Sequence, residues 1–301
     1  MTVALRVAPG DADTMRDRAA IGYVLVAYTI SWGCWLPLAA TGRVVRVGGA
    51  ATHLPGLVGP ALAAAAMAVL LRRRDVGVGL GRRVLRWRIG AWWLVAVSPL
   101  GMLLAGALVA ALRGNPPRLA DLALINGFPG WGLAGVLLLL VVVNGFGEET
   151  GWRGFLQPRL QRRHAPLTAI SLVTVVWVGW HAPLFVVLAN YRGFSAGTLV
   201  GFAIGIFCGA VVLGWLWNRT GSIPAVAVWH ALYNLGAATV AASGTIAAVV
   251  TSIVITQAVV LVVAELAGRG GVLTPVPAAR DTDDQRTRPG VPIGGPGQAA
   301  S

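Results

Sequence analysis

The sequence predicts an all-α membrane protein, a polytopic bundle of about eight transmembrane helices, and three observations carry that reading. Apolar residues make up 56% of the 301 residues and charged residues 12%, with a mean hydropathy of +0.72. A soluble domain of this length cannot keep that much hydrocarbon from water. The apolar residues also fall in stretches near the ~20 residues that cross ~30 Å of hydrocarbon. Finally, the chain has no lysine, and its 24 arginines gather at alternate stretch ends.

Taken in order, residues 1–19 carry Asp11, Asp13, Arg16, Asp17 and Arg18. They lack the basic, apolar, small-residue succession of a cleaved signal, so this is an N-terminal cytoplasmic segment followed by an uncleaved anchor. The transmembrane region is 20–266. Its helices are expected at Ala20–Ala40, Leu54–Leu71, Ala91–Leu112, Trp131–Phe146, Pro166–Asn190, Ala196–Trp217, Ile223–Ala242 and Thr245–Ala264. The second is short and rich in Gly and Pro, and almost no loop separates the last two. Cys34 and Cys208 fall inside helices, where isolated thiols act as small packing residues. From 267 to 301 the text turns to Gly, Pro, Ala and alternating charge, which cannot bury enough apolar surface to fold, and a disordered cytoplasmic tail is expected. No internal repeat is visible, which argues against an inverted-repeat transporter.

The net charge of +13 invites a nucleic-acid reading, and the position of the arginines excludes it. The gaps after the first, third and fifth helices hold Arg43, Arg46, Arg113, Arg118 and Arg192. The gap after the second holds Arg72, Arg73, Arg74, Arg82, Arg83, Arg86 and Arg88, and the gap after the fourth holds Arg153, Arg159, Arg162 and Arg163. By the positive-inside rule the latter two are cytoplasmic, as then are both termini, in a multi-pass protein of the cell membrane. The basic charge is topological, and its partner is the anionic lipid surface.

Against this background the polar residues stand out. Glu148 and Glu149 follow the unbroken hydrocarbon of Leu137 to Val143, in a chain with three glutamates in all. An ionisable residue at membrane depth is by default a functional-site hypothesis. Four residues separate Glu149 from Arg153, acid first, the favourable order for a helical ion pair, while Glu148 points about 100° away. His230 and Asn234 are likewise four apart on one helix face; such a pair also serves simply to bridge membrane helices, for ~0.6 to 2 kcal/mol. Counted from Arg159 and Arg219 at ~1.5 Å per residue, Glu148 and His230 both lie about 16 Å in, so they can meet; His181, counted from Arg163, lies deeper.

One Glu, two His and an Asn suit two chemistries. In one, Glu148 and His181 hold a water and take its proton, while His230 and Asn234 donate to the oxyanion of a carbonyl under attack. In the other, Glu148, His181 and His230 ligate zinc and leave a position open for that water. The residues do not choose between them. A proton-relaying transporter and a non-proteolytic scaffold also remain as readings from other classes.

The run Glu148-Glu149-Thr150-Gly151-Trp152-Arg153-Gly154, then Trp177 four residues before His181, then His230-Ala231-Leu232-Tyr233-Asn234, resembles the three ordered motifs of the CPBP family, the CAAX-protease and bacteriocin-processing (Abi) membrane proteins related to type II CAAX prenyl endopeptidases. The resemblance covers about 131–243. It implies an intramembrane endopeptidase with its active site in a cavity opening toward the cytoplasm. On it, Glu148 is the general base, His181, His230 and Asn234 complete the catalytic set, and Glu149, Arg153 and Trp177 support them. Trp177 stands where the family usually has Phe. Zinc and metal-independent water activation both stay open. The composition suggests a GC-rich bacterial genome, where the expected partners are a peptide or membrane-protein substrate and the bilayer.

Overall fold

A computed structural model describes residues 9–71, 74–268 and 271–276. Among the described residues the architecture is a bundle of nine principal helices: α1 (Pro9–Ala40), α2 (Gly59–Leu70), α3 (Arg74–Val84), α4 (Ser98–Leu112), α5 (Gly132–Leu160), α6 (Pro166–Trp180), α7 (Ala196–Thr220), α8 (Ile223–Leu235) and α9 (Thr245–Leu266). Large apolar side chains face outward along it, among them Ile21, Leu25, Val259, Val260 and Val263. In water that surface would be untenable; in lipid it is the expected exterior, and the chain is a multi-pass membrane protein.

Among the described residues five helical stretches are long and apolar enough to cross a membrane: Arg18–Ala40, Gly132–Leu160, Pro166–Val187, Ala196–Thr220 and Thr245–Leu266. The other three expected spans are interrupted or short, so the count of about eight is not confirmed. The second is split into Leu54–Leu57 and α2, and the third into Trp92–Ala96 and α4. Pro60 and Pro99 sit at the restarts, where a missing N–H costs nothing but continuity with the preceding turn is lost. The seventh, α8, stops at Leu235 rather than running to Ala242, and turns at Gly236.

Two further boundaries differ. The fourth helix does not end at Phe146 but continues to Leu160, because its acids and arginine find partners inside the protein. Arg153 is therefore buried and does not belong to the loop charge. The fifth does not run to Asn190: its α-helix ends at Trp180, where Pro183 cannot donate to the helix ladder, and the freed Trp180 carbonyl accepts from Trp32 Nε1 at 3.0 Å instead. The basic gap after α2 is partly the helix α3, which hydropathy did not reveal.

Close packing, with little hydrophobic drive between helices in lipid, holds such a bundle together. Trp180 is wedged edge-on between Trp35 and Trp152, at ring distances of 4.7 and 5.8 Å. Small residues let α5 approach its neighbours: a Cβ at Gly145 would meet the Ala227 carbonyl oxygen at 2.4 Å, and one at Gly151 the Tyr23 hydroxyl at 2.2 Å. Hydrogen bonds lace the connections at each end. At the arginine-rich end Arg83 Nη1 donates to Gly154 O at 2.7 Å and Ser222 Oγ to Arg86 O at 2.6 Å. At the opposite end Val45 exchanges bonds with Val187 and Ala189, Val47 N donates to Asn126 Oδ1, and Val240 N to Leu124 O.

The tail expected to be disordered from 267 begins instead with an ordered return. Leu273 is fully buried, Asn218 Nδ2 donates to its carbonyl at 2.6 Å, and Glu265 accepts from its amide. One apolar side chain and the unfilled hydrogen-bonding capacity of a buried Asn suffice to hold this strap. The remainder of the tail, 277–301, lies outside the described residues, as does the start of the N-terminal segment, 1–8. Helix α1 already begins at Pro9 rather than Ala20.

Candidate active site

Helix α5 is not uniformly wound. Leu140–Phe146 and Trp152–Leu156 are π-helical, and the single α-helical turn between them, Gly147–Gly151, carries both glutamates. Such wide turns re-aim the residues that follow and recur at functional sites. Here they leave Glu148 and Glu149 pointing into two different sets of partners.

Glu149 is 0% exposed and sits in a charge cluster. Its Oε1 accepts from Arg153 Nη1 at 2.9 Å and from His230 Nδ1 at 2.8 Å. The Arg153 guanidinium, also 0% exposed, lies over the Trp177 ring at 4.6 Å. The helical pair read from the sequence is thus present, but it has gained a third member from α8 and an aromatic face from α6.

Glu148 is 2% exposed and belongs to another network. Its Oε2 accepts from Trp177 Nε1 at 2.8 Å and its Oε1 from the Asn144 amide. The Asn144 carbonyl in turn accepts from Asn234 Nδ2. One line of side chains, Asn234 to Asn144 to Glu148 to Trp177, therefore ties α8, α5 and α6 together. Each bond fixes a donor: Asn144 must turn its NH2 to the acid and its oxygen to Asn234.

The same logic sets the imidazoles. His181 Nδ1 lies 2.7 Å from the Trp177 carbonyl, which can only accept, so Nδ1 carries the proton and Nε2 is left as an acceptor in the neutral ring. His230 Nδ1 faces a carboxylate, so it too is the protonated nitrogen, and Nε2 presents an N–H when the ring is the imidazolium.

Glu148, His181, His230 and Asn234 all line one cavity of about 390 Å³. Sequence spacing left His181 deeper than the others; α6 starts only at Pro166, and the imidazole turns back toward the Trp177 carbonyl, which brings it to the same chamber. The chamber can hold a water and a polypeptide backbone beside an acid, an acceptor nitrogen and two donors. It does not fit the proposed zinc set as placed. Among the described residues no three His, Cys, Asp or Glu side chains are grouped to hold a metal ion.

Two cavity residues escaped the sequence reading. Asn144 lies four residues before Glu148, and its signal was being the one amide after seven hydrocarbon side chains. His53 stands at the end of the loop before the second stretch, outside any motif, and only the fold brings it to the cavity wall. Burial pushes its pKa down to about 4, with the neighbouring His181 adding to the effect.

The cavity mouth is at the end of the bundle that carries few arginines. Of its lining, Asn190, Gly201 and Ala238 are exposed and belong to that end, while Leu213 and Trp229 lie deepest.

Comparison with known proteins bears on the segment that builds this chamber. Residues 130–236 match the family described as type II CAAX prenyl endopeptidase Rce1-like. A CAAX prenyl protease 2 from Methanococcus maripaludis is 33% identical over 106 residues, which are 33% of this chain and 38% of that protein. The similarity therefore covers well under half of either chain, and it coincides with the stretch from α5 to α8.

Proposed function

We propose, on the match of residues 130–236 to the type II CAAX prenyl endopeptidase Rce1-like family, that the chain is an intramembrane endopeptidase of the CAAX-protease type that hydrolyses a peptide bond in a membrane-associated peptide or protein. The observation that carries the reading is the convergence, in one chamber, of a buried carboxylate, an imidazole with a free acceptor nitrogen, and two donors on a single helix face.

In this reading the attacking water sits between Glu148 and His181 Nε2. Glu148 takes a proton from it as its oxygen bonds to the carbonyl carbon. The carbonyl oxygen becomes an oxyanion facing Asn234, whose second amide hydrogen is not used by Asn144, and the Nε2–H of a protonated His230, with the Glu149 carboxylate balancing that cation. Collapse of the adduct breaks the C–N bond, and the proton held by Glu148 passes to the departing nitrogen. Arg153 and Trp177 act through the two glutamates by holding their carboxylates apart. No step is routed through a metal, since the donors do not fit one. The protein is placed in the cell membrane with both termini cytoplasmic, on its arginine asymmetry.

The test is cleavage of a prenylated CAAX reporter peptide and of membrane-anchored apolar peptides by the purified full chain, beside its Glu148→Gln variant. An amide cannot accept the water's proton, so cleavage should fall ~10² to 10⁴-fold while the melting temperature in detergent holds. Cleavage by Glu148→Gln at a rate near the parent's would remove Glu148 from the role of base.

A further inference from the structure

Of the three histidines that line the chamber, only His53 lies outside the matched segment and takes no part in the reaction described above. It is 7% exposed, and its Nδ1 is enclosed with no hydrogen-bond partner, which leaves Nε2 as the nitrogen open to the cavity. A buried imidazole without partners carries a desolvation cost that an apolar ring of similar size would not.

The ring is also held in place. Its backbone carbonyl accepts from Trp35 Nε1 at 2.9 Å and from Gly56 N at 3.1 Å. Trp35 packs against Trp180, whose ring lies 5.0 Å from that of His181. On the side away from the cavity Gly127 makes room, since a Cβ there would stand 2.9 Å from His53 Nδ1. Burial lowers the pKa to about 4, so near neutrality the ring is uncharged and meets a partner by hydrogen bonding rather than by charge. Depending on tautomer, Nε2 donates or accepts, and a peptide main chain offers both an N–H and a carbonyl.

Another wall of the same cavity has no side chains at all. Gly201, Gly205 and Gly209 fall four apart on one face of α7, and a Cβ at any of them would meet nothing within 4 Å. Gly145 and Gly151 are small because a neighbour presses on them; these three leave space that the bundle does not use. A bare helix face of this kind lets a second backbone come close.

We propose that His53 is a substrate-binding residue: its imidazole hydrogen-bonds a main-chain peptide group of the bound polypeptide, flanking the scissile bond, and the glycine face of α7 is the bed on which that backbone lies. The word substrate rests on the peptidase reading; the binding site rests on the unpaired imidazole and the unfilled wall.

Kinetics of the purified full chain test it. His53→Phe keeps a ring of similar size and removes both nitrogens. On the reporter peptide that the parent cleaves, KM should rise about 3- to 10-fold, the loss of one hydrogen bond, while kcat stays within about twofold and the melting temperature in detergent holds. His53→Gln restores a donor and an acceptor and should return KM toward the parent value. Gly205→Leu fills the bed from the other wall and should lower kcat/KM at least ~10-fold in a chain that still folds, so the test survives a His53→Phe variant that does not. A His53→Phe KM equal to the parent's, a fall in its kcat alone, or a Gly205→Leu chain as active as the parent would overturn the proposal. If the parent cleaves no reporter, binding of the same peptides, fluorescently labelled, to the Glu148→Gln chain decides. A Kd weakened about 3- to 10-fold by adding His53→Phe keeps the binding site while the peptidase reading falls; no binding, or an unchanged Kd, overturns the site.

Discussion

At the scale of single residues, the site separates two jobs that the sequence wrote side by side. Glu148 faces the chamber through neutral donors, and Glu149 is locked to Arg153 and His230. In the proposed mechanism Asn234, which has no titratable proton, holds developing negative charge. Asn234→Ala should lower kcat ~10² to 10³-fold with little change in KM, measured on whichever reporter the parent cleaves; an unchanged kcat would place that helix face in packing alone. His53 offers a reading by pH. Its folded-state pKa of about 4 lies below the ordinary histidine value, so the unfolded chain binds a proton that the folded chain refuses. Stability attributable to it is full above about pH 6.5 and declines as pH falls toward 4. Melting temperatures of the parent should drop over that window, and those of His53→Gln should drop less; parallel curves would mean that His53 is freely hydrated. Glu148, Glu149, His181, His230 and Asn234 were all legible because membrane depth makes polar residues conspicuous. Asn144 and His53 were not: one reads as a packing amide, the other as a loop end, until three-dimensional neighbours give them a role.

At the scale of elements, α5 is the organising piece. Its Arg153 is buried beneath Trp177 and neutralises a carboxylate that has no water. Arg153→Ala leaves Glu149 hydrogen-bonded to His230 alone among the described side chains and empties the space under the indole. A loss of ~3 to 5 kcal/mol is expected, read as low yield and a lowered melting temperature in detergent. A stable but inactive variant would assign Arg153 to the substrate instead. Hydropathy located the long elements well, since their length and apolarity are properties of the chain alone. It misjudged those whose limits depend on partners: α5 runs on because its charges pair internally, α6 stops early because Pro183 breaks the ladder, and α8 is short because Gly236 turns it.

At the scale of the whole molecule, the bundle is closed at one end by arginine-bearing connections and open at the other, and a strap from 271 to 276 fastens α7 to α9 on the closed side. Leu273→Ala should cost ~2 to 5 kcal/mol, the range for emptying a fully buried leucine site, and thermal unfolding in detergent measures it. A shift within error would mean the strap is held by its backbone bonds alone. The arrangement of acids within α5 also bears on how the protein is made. Glu148 and Glu149 each have a first partner in the same helix, Asn144 four residues before and Arg153 four residues after, whereas Trp177 and His230 belong to helices synthesised later. Unpaired charges resist entry at the translocon by ~2.5 to 3.5 kcal/mol each. A nascent α5 therefore carries into the bilayer a counter-charge for Glu149 and a hydrogen-bond donor for Glu148, both in place before α6 and α8 are made.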